Sequence, residues 1–197
     1  DTLSDARLAQ WMNQTLKPLG KKMDAQACAQ LAFTSGRDLT MLHSELQKLA
    51  AYAGDRTTIT QEDIERVATH TAECTVFAMV DALVDGQAQQ AFSLLSVLLE
   101  SGEERLGVLA LITRQYRQMM YAKDMMDSRM PQAQMMKALG VPSFALNKLM
   151  RRAGRRTMEQ LRGQLELCVQ TDYDIKRGAV REEAGLDRLM LALTGSM

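Results

Sequence analysis

The chain has 197 residues, with 24 Lys and Arg against 24 Asp and Glu, 46% hydrophobic residues and only 5% aromatic ones. That length suffices for one large domain or two small ones with a real core, and the charge balance excludes a global pull toward nucleic acid or an anionic membrane. No apolar run approaches the roughly 20 residues that span a bilayer and no signal-peptide pattern is seen, so the expected location is cytoplasmic.

Abundant Ala, Leu, Met, Gln, Arg and Glu, few β-branched runs and only three Pro favour helix throughout. Ser4 or Asp5 is suited to cap a first helix with Leu8, Trp11, Met12 and Leu16 on one face, ending near Pro18-Leu19-Gly20. Asp24 opens a second helix through Ala27, Cys28 and Leu31 that closes at Ser35-Gly36. Asp38 caps a third, where Leu39, Leu42, Leu46 and Leu49 recur at three- and four-residue steps. Thr60 with Asp63 approximates a capping box for a fourth, carrying Ile64 and Val67.

A second helical set begins near Thr75 with Phe77, Val80, Leu83 and Val84, stopped by Asp85-Gly86. Ala88 to Leu99 forms the next helix, and the longest runs from about Glu104 to Ser128. Pro131 and Pro142 each sit near a helix start. Thr157 caps a helix through Lys176, and Glu182 to Leu193 is the last, before a tail over residues 194–197 that should fray. Nothing alternates with period two. The expected fold is therefore all-α, in two bundles, 1–72 and 73–197, with the boundary in the polar stretch from Thr69 to Glu73. The chain starts at Asp1 without an initiator Met and reads as a piece of something larger.

No residue reads as catalytic. The only Gly-Lys pair, Gly20-Lys21, has no glycine five positions earlier and no hydroxyl after the lysine, so it is a helix-end turn and not a phosphate loop. No nucleotide or other cofactor is expected. His43 and His70 are the only histidines and lack facing partners at ligand spacing, while Cys28, Cys74 and Cys168 lie far apart as thiols of a reduced compartment. No metal site is expected. Seven of the 15 methionines fall between Met119 and Met136, at helical spacing that suits core and interface packing.

One charged cluster stands out. Lys137, Lys148, Arg151, Arg152, Arg155, Arg156 and Arg162 face a single carboxylate, Glu159, between residues 137 and 162. Arg151, Arg152, Arg155 and Arg156 pair at four-residue steps, which on one helix would form a basic contact stripe for phosphates or an acidic partner. The alternative is a solvated surface paired with acids from other helices.

Three motifs in order carry a resemblance. Gly36-Arg37-Asp38-Leu39 precedes Glu45-Leu46-Gln47-Lys48-Leu49; Val76-Phe77 precedes Val80-Asp81-Ala82-Leu83 and Gly86; and Asp172-Tyr173-Asp174-Ile175-Lys176-Arg177-Gly178 follows late in the chain. Together they resemble the delta subunit of the bacterial clamp loader, in the DNA polymerase III holoenzyme. The resemblance implies that residues 1–72 are a helical lid of the AAA+ type and that residues 73–197 are a collar that assembles with the other clamp-loader subunits. It implies action on a sliding clamp, through an N-terminal domain preceding this segment, and on primed DNA through the assembled complex. Arg37-Asp38 occupies a place comparable to the phosphate-touching lid arginine of related ATPase subunits. Because delta is not expected to hydrolyse ATP, Arg37 is read as a relic or a structural helix-start residue. A stand-alone helical adaptor and a helical DNA-binding domain are the alternative readings.

Overall fold

The computed structural model describes residues 3–195; of the tail expected to fray, Ser196 and Met197 lie outside the described residues. The fold is all-α: the described residues form eleven α-helices and no strand, with one isolated parallel bridge between Lys22 and Thr58. The chain divides into two compact units after Cys74.

The first unit holds α1 (Asp5–Leu16), a short 3-10 turn (Lys17–Leu19), α2 (Ala25–Ser35), α3 (Leu39–Ala53) and α4 (Gln61–Val67). Each of the last three helices starts at a side chain that satisfies an orphan N–H. Asp24 accepts from Ala27, Asp38 from Met41, and Thr60 exchanges hydrogen bonds with Asp63 in a full capping box. The apolar faces of α1, α2 and α3 then meet around Met12, Leu16, Leu31, Leu42, Leu46 and Leu49, with Ile59 and Ile64 closing one side. Truncating any such leucine to Ala costs about 2–5 kcal/mol, because the cavity stays partly open.

Asp63 does two jobs. Its carboxylate accepts both arms of the Arg56 guanidinium at 2.9 Å and the Thr60 N–H at 2.9 Å. The Arg56 hydrogen bonds outweigh the burial of the carboxyl and, with Thr60, hold it at about 2, below its ordinary 3.8. A depressed carboxyl pKa stabilises the fold above the unfolded value and loses that contribution as pH falls through the folded one. The stability difference between the native chain and Asp63→Asn is therefore expected to be about 1–2 kcal/mol at neutral pH. It should shrink as pH drops from about 4 to about 2, which denaturant titrations at stepped pH will measure.

The second unit is built on α7 (Arg105–Asp127), with α5 (Ala72–Val84) from Thr75 onward, α6 (Ala88–Glu100), α8 (Gln132–Leu139), α9 (Ser143–Gly154), α10 (Met158–Lys176) and α11 (Glu182–Leu193). The long helix packs against α8, α9, α10 and α11, and α11 also reaches α6. Val108, Leu109, Ile112, Tyr116 and Met119 of α7 are all buried, a stripe at helical spacing. Pro131 and Pro142 stand at the N-cap positions of α8 and α9, just outside the first helical residue. Gly185, in the first turn of α11, lies close under Ile175 of α10: a Cβ there would stand 3.0 Å from Ile175 side-chain atoms, so a side chain at this position would require Ile175 to shift.

α5 begins at Ala72, earlier than the expected start near Thr75. The reason is local: the Thr71 hydroxyl accepts the Cys74 N–H, which has N-cap geometry and makes the polar residues 72 and 73 a first helical turn.

Candidate functional site

The four arginines of the expected basic stripe do not share one helical face. α9 ends at Gly154, so Arg155 and Arg156 lie in the turn before α10. All four close onto the stretch from Phe77 to Asp85, which covers the end of α5 and the turn after it. Arg152 is 1% exposed; its Nε donates to Asp81, its Nη2 donates to the Phe77 carbonyl at 2.8 Å, and its guanidinium stacks 3.8 Å from the Phe77 ring centroid. Arg151 also approaches Asp81, at 3.6 Å. Arg155 pairs with Asp85, and Arg156 Nη2 donates to the Val84 carbonyl at 3.0 Å.

The stripe as a contact surface is thus corrected at Arg152, which is a buried structural cation. The cause is an acidic pair four residues apart, Asp81 in the last turn of α5 and Asp85 just beyond its end. It matches the four-residue step of the arginines, and positive charge collects where α5 leaves its last carbonyls unpaired. That complementary spacing was the signal available in the sequence. Arg151 and Arg155 keep about half of their side chains exposed (54% and 53%) while making these contacts.

Arg37 is likewise engaged. Its guanidinium donates to Asp5 Oδ1 and to the Leu3 carbonyl, each at 2.6 Å, which ties the start of α3 to the start of α1. His43 is exposed, with Nε2 3.1 Å from the Gln47 amide nitrogen, and His70 is also exposed. No cluster of three His, Cys, Asp or Glu side chains suited to a metal occurs among the described residues. Burial pushes the Cys28 thiol up to about 11 and the Cys168 thiol up to about 12, which disfavours the nucleophilic thiolate at both. In the Met-rich segment Met119 and Met135 are buried, and Met120, Met125, Met126, Met130 and Met136 are half-buried.

The segment joining the units is held by the first of them, a feature the sequence reading missed. Glu45, buried at 2% exposure, accepts the Thr69 N–H at 3.0 Å and lies 2.8 Å from Lys48 Nζ. Lys48 donates to the Thr69 hydroxyl at 2.9 Å, Ser35 donates to the Thr69 carbonyl at 2.7 Å, and Thr71 N–H donates to the Thr34 carbonyl at 2.8 Å. Burial alone would raise the Glu45 carboxyl, yet the hydrogen bonds from Lys48 and Thr69 hold it below its ordinary value. Gly36, at φ +84°, lets the chain pass Thr71 with only 3.4 Å between a would-be Cβ and the threonine methyl.

On the second unit a groove of about 320 Å³ runs between α7 and α10, lined by Ala110, Thr113, Arg114 and Arg117 from one helix and Val169, Asp172 and Lys176 from the other. Lys176 Nζ is 2.8 Å from Asp172. Beside it Tyr173 is 58% exposed, with the Arg177 guanidinium 5.1 Å from its ring centroid.

The chain is similar to known proteins over most of its length. The family model of the DNA polymerase III delta subunit, C-terminal domain, matches residues 73–193, and a second model, described as a middle domain, matches residues 6–66. DNA polymerase III subunit delta of Bacillus subtilis is 26% identical over 88% of this chain, and a probable DNA polymerase III subunit delta of Aquifex aeolicus is 28% identical over 56% of it. The chain spans 50% of the first relative's length and 32% of the second's. The solved structure of the Bacillus subtilis DNA clamp loader delta protein, YqeN, superposes with a TM-score of 0.73 at 25% identity, covering 98% of this chain and 57% of that one. The chain therefore belongs to the DNA polymerase III delta subunit family, of which it carries the C-terminal domain.

Proposed function

We propose that the chain is the C-terminal part of a clamp-loader subunit, which assembles with the ATPase subunits to load the sliding clamp onto primed DNA during replication. Residues 1–72 act as the lid and residues 73–197 as the collar that joins neighbouring subunits. The observation that carries this reading is the family match over 73–193 on a helical fold shared with a clamp loader delta protein. The segment itself performs no catalysis: Arg37, Arg152 and Arg156 donate to backbone carbonyls of neighbouring segments, Cys28 and Cys168 are buried, and it works as an accessory part of the polymerase holoenzyme in the cytoplasm. Among the described residues no single helix is long and apolar enough to cross a membrane. Contact with the clamp belongs to the part of the longer relatives that this chain does not span.

Co-purification with a clamp-loader ATPase subunit tests the assignment. The whole chain and a fragment of residues 71–197, which keeps the Thr71 cap, are both expected to co-elute with the ATPase subunit in size-exclusion chromatography. Retention by residues 1–70 alone would transfer the assembly role to the lid and overturn the proposal.

A further inference from the structure

We infer that the core of the second unit holds an internal water molecule between the Arg152 guanidinium of α9 and the Tyr116 hydroxyl of α7, a site independent of the clamp-loader reading. Arg152 is 1% exposed, and most of its guanidinium is engaged: Nε on Asp81, Nη2 on the Phe77 carbonyl at 2.8 Å, and the face on the Phe77 ring. Its Nη1 is buried too, yet meets no acceptor among the described residues. Tyr116 is wholly buried, and its hydroxyl likewise meets no partner among them. Buried polar groups in folded proteins are nearly always hydrogen-bonded, to protein or to ordered water. Here two such groups stand on helices that pack against each other.

Their electrostatics put them on the same side of the core. Burial, helped by Cys168, pushes the Tyr116 phenol up, while the Arg156 and Arg152 charges pull against that rise, so the hydroxyl lies in the field of both guanidiniums. Nη1 can only donate, and whatever sits beside it must accept. Water accepts from Nη1 and also pairs with a hydroxyl that can give or take a hydrogen bond. A small anion would accept as well, but Asp81 already faces the Arg152 charge, and burying a further charge is costly. Gln115 Oε1 and Gln164 Oε1 are also buried without partners among the described residues. An amide can turn to offer its nitrogen in place of its oxygen; guanidinium and phenol have no such escape. The water carries the hydrogen-bonded path that runs from α5 to Arg152 onward to α7, the helix on which the unit is built.

The test uses the whole chain and magnetic relaxation dispersion of the water oxygen, which counts long-lived internal waters and ignores exchanging protons. Tyr116→Phe should lower the dispersion amplitude by the equivalent of about one water. In denaturant titrations the same variant should raise the unfolding equilibrium constant about fivefold, the effect of one lost hydrogen bond. Tyr121→Phe, which removes an exposed hydroxyl from the same helix, should change neither. A high-resolution crystal structure of the native chain should show one ordered water within hydrogen-bonding distance of Arg152 Nη1 and Tyr116 Oη, and it decides the matter if Tyr116→Phe does not fold. An amplitude unchanged by Tyr116→Phe would overturn the inference. So would an unfolding constant that stays the same or falls, as deletion of an unpaired buried hydroxyl would give. A direct hydrogen bond from the Tyr116 hydroxyl to a protein acceptor in the crystal would overturn it, and so would an anomalous bromide peak at the site after soaking, which would make it an anion site.

Discussion

Replacing Arg152 by Ala is expected to destabilise the second unit by about 3–5 kcal/mol, the cost of removing one partner from a buried ion pair. The substitution leaves the Asp81 carboxylate with only the more distant Arg151, removes one hydrogen bond from the Phe77 carbonyl and opens a cavity beneath the Phe77 ring. In a unit of this size the thermal midpoint should fall by roughly 10 °C or more. The pair is not expected to be irreplaceable. Arg152→Met combined with Asp81→Leu removes both charges and refills the volume, so it should recover much of the loss. Denaturant unfolding followed by far-UV circular dichroism distinguishes these cases. A single variant with an unchanged midpoint would place the guanidinium in water.

Replacing Glu45 by Ala should cost about 2–3 kcal/mol in the first unit, because it deprives the Thr69 N–H of its charged acceptor and Lys48 of its partner. Glu45→Gln keeps an acceptor for Thr69 but not the charge, and should lose about half as much. Hydrogen exchange gives the local signature: the amides of Thr69 and Thr71 should exchange faster in both variants, while the buried amides of α1 and α3 change only with global stability. The pH dependence has a defined sign. A carboxyl held below its ordinary 4.5 contributes fully above that value and loses its contribution as pH falls through the folded one. Acid should therefore loosen this segment in the native chain and leave the Glu45→Gln variant less affected.

The helices that could be read from sequence are those whose start is decided within four residues. Asp24, Asp38, Thr60 with Asp63, and Thr157 each cap the helix that follows them, and the ends of α10 and α11 fall at Lys176 and Leu193 as periodicity predicts. The start of α5 was misplaced because Thr71 looked like one more polar linker residue until its hydroxyl met the Cys74 N–H. The arginine cluster was misread for a different reason. Four-residue steps describe a face only while a helix continues, and α9 stops between the two pairs. Whether an arginine is solvated or buried depends on what packs over it, and Asp81 stands 71 residues earlier in the chain. The linker clamp escaped notice on the same grounds, since Glu45 and Thr69 are joined only by the fold. The α7–α10 groove needs two helices laid side by side before its arginines become a surface.

That separation of 71 residues between Asp81 and Arg152 also imposes a timetable on synthesis. At about 5–20 residues per second, translation reaches Arg152 roughly 4–14 s after Asp81. Through that interval the nascent α5 carries Val76, Phe77, Val80 and Leu83 without the cation that later covers Asp81 and the Phe77 carbonyl. The first unit has no such wait, because every helix of its core precedes Thr69. Vectorial folding is then expected to proceed in two beats, with the N-terminal bundle closing early while α5 emerges as an unfinished, chaperone-accessible segment until α9 follows it out of the ribosome.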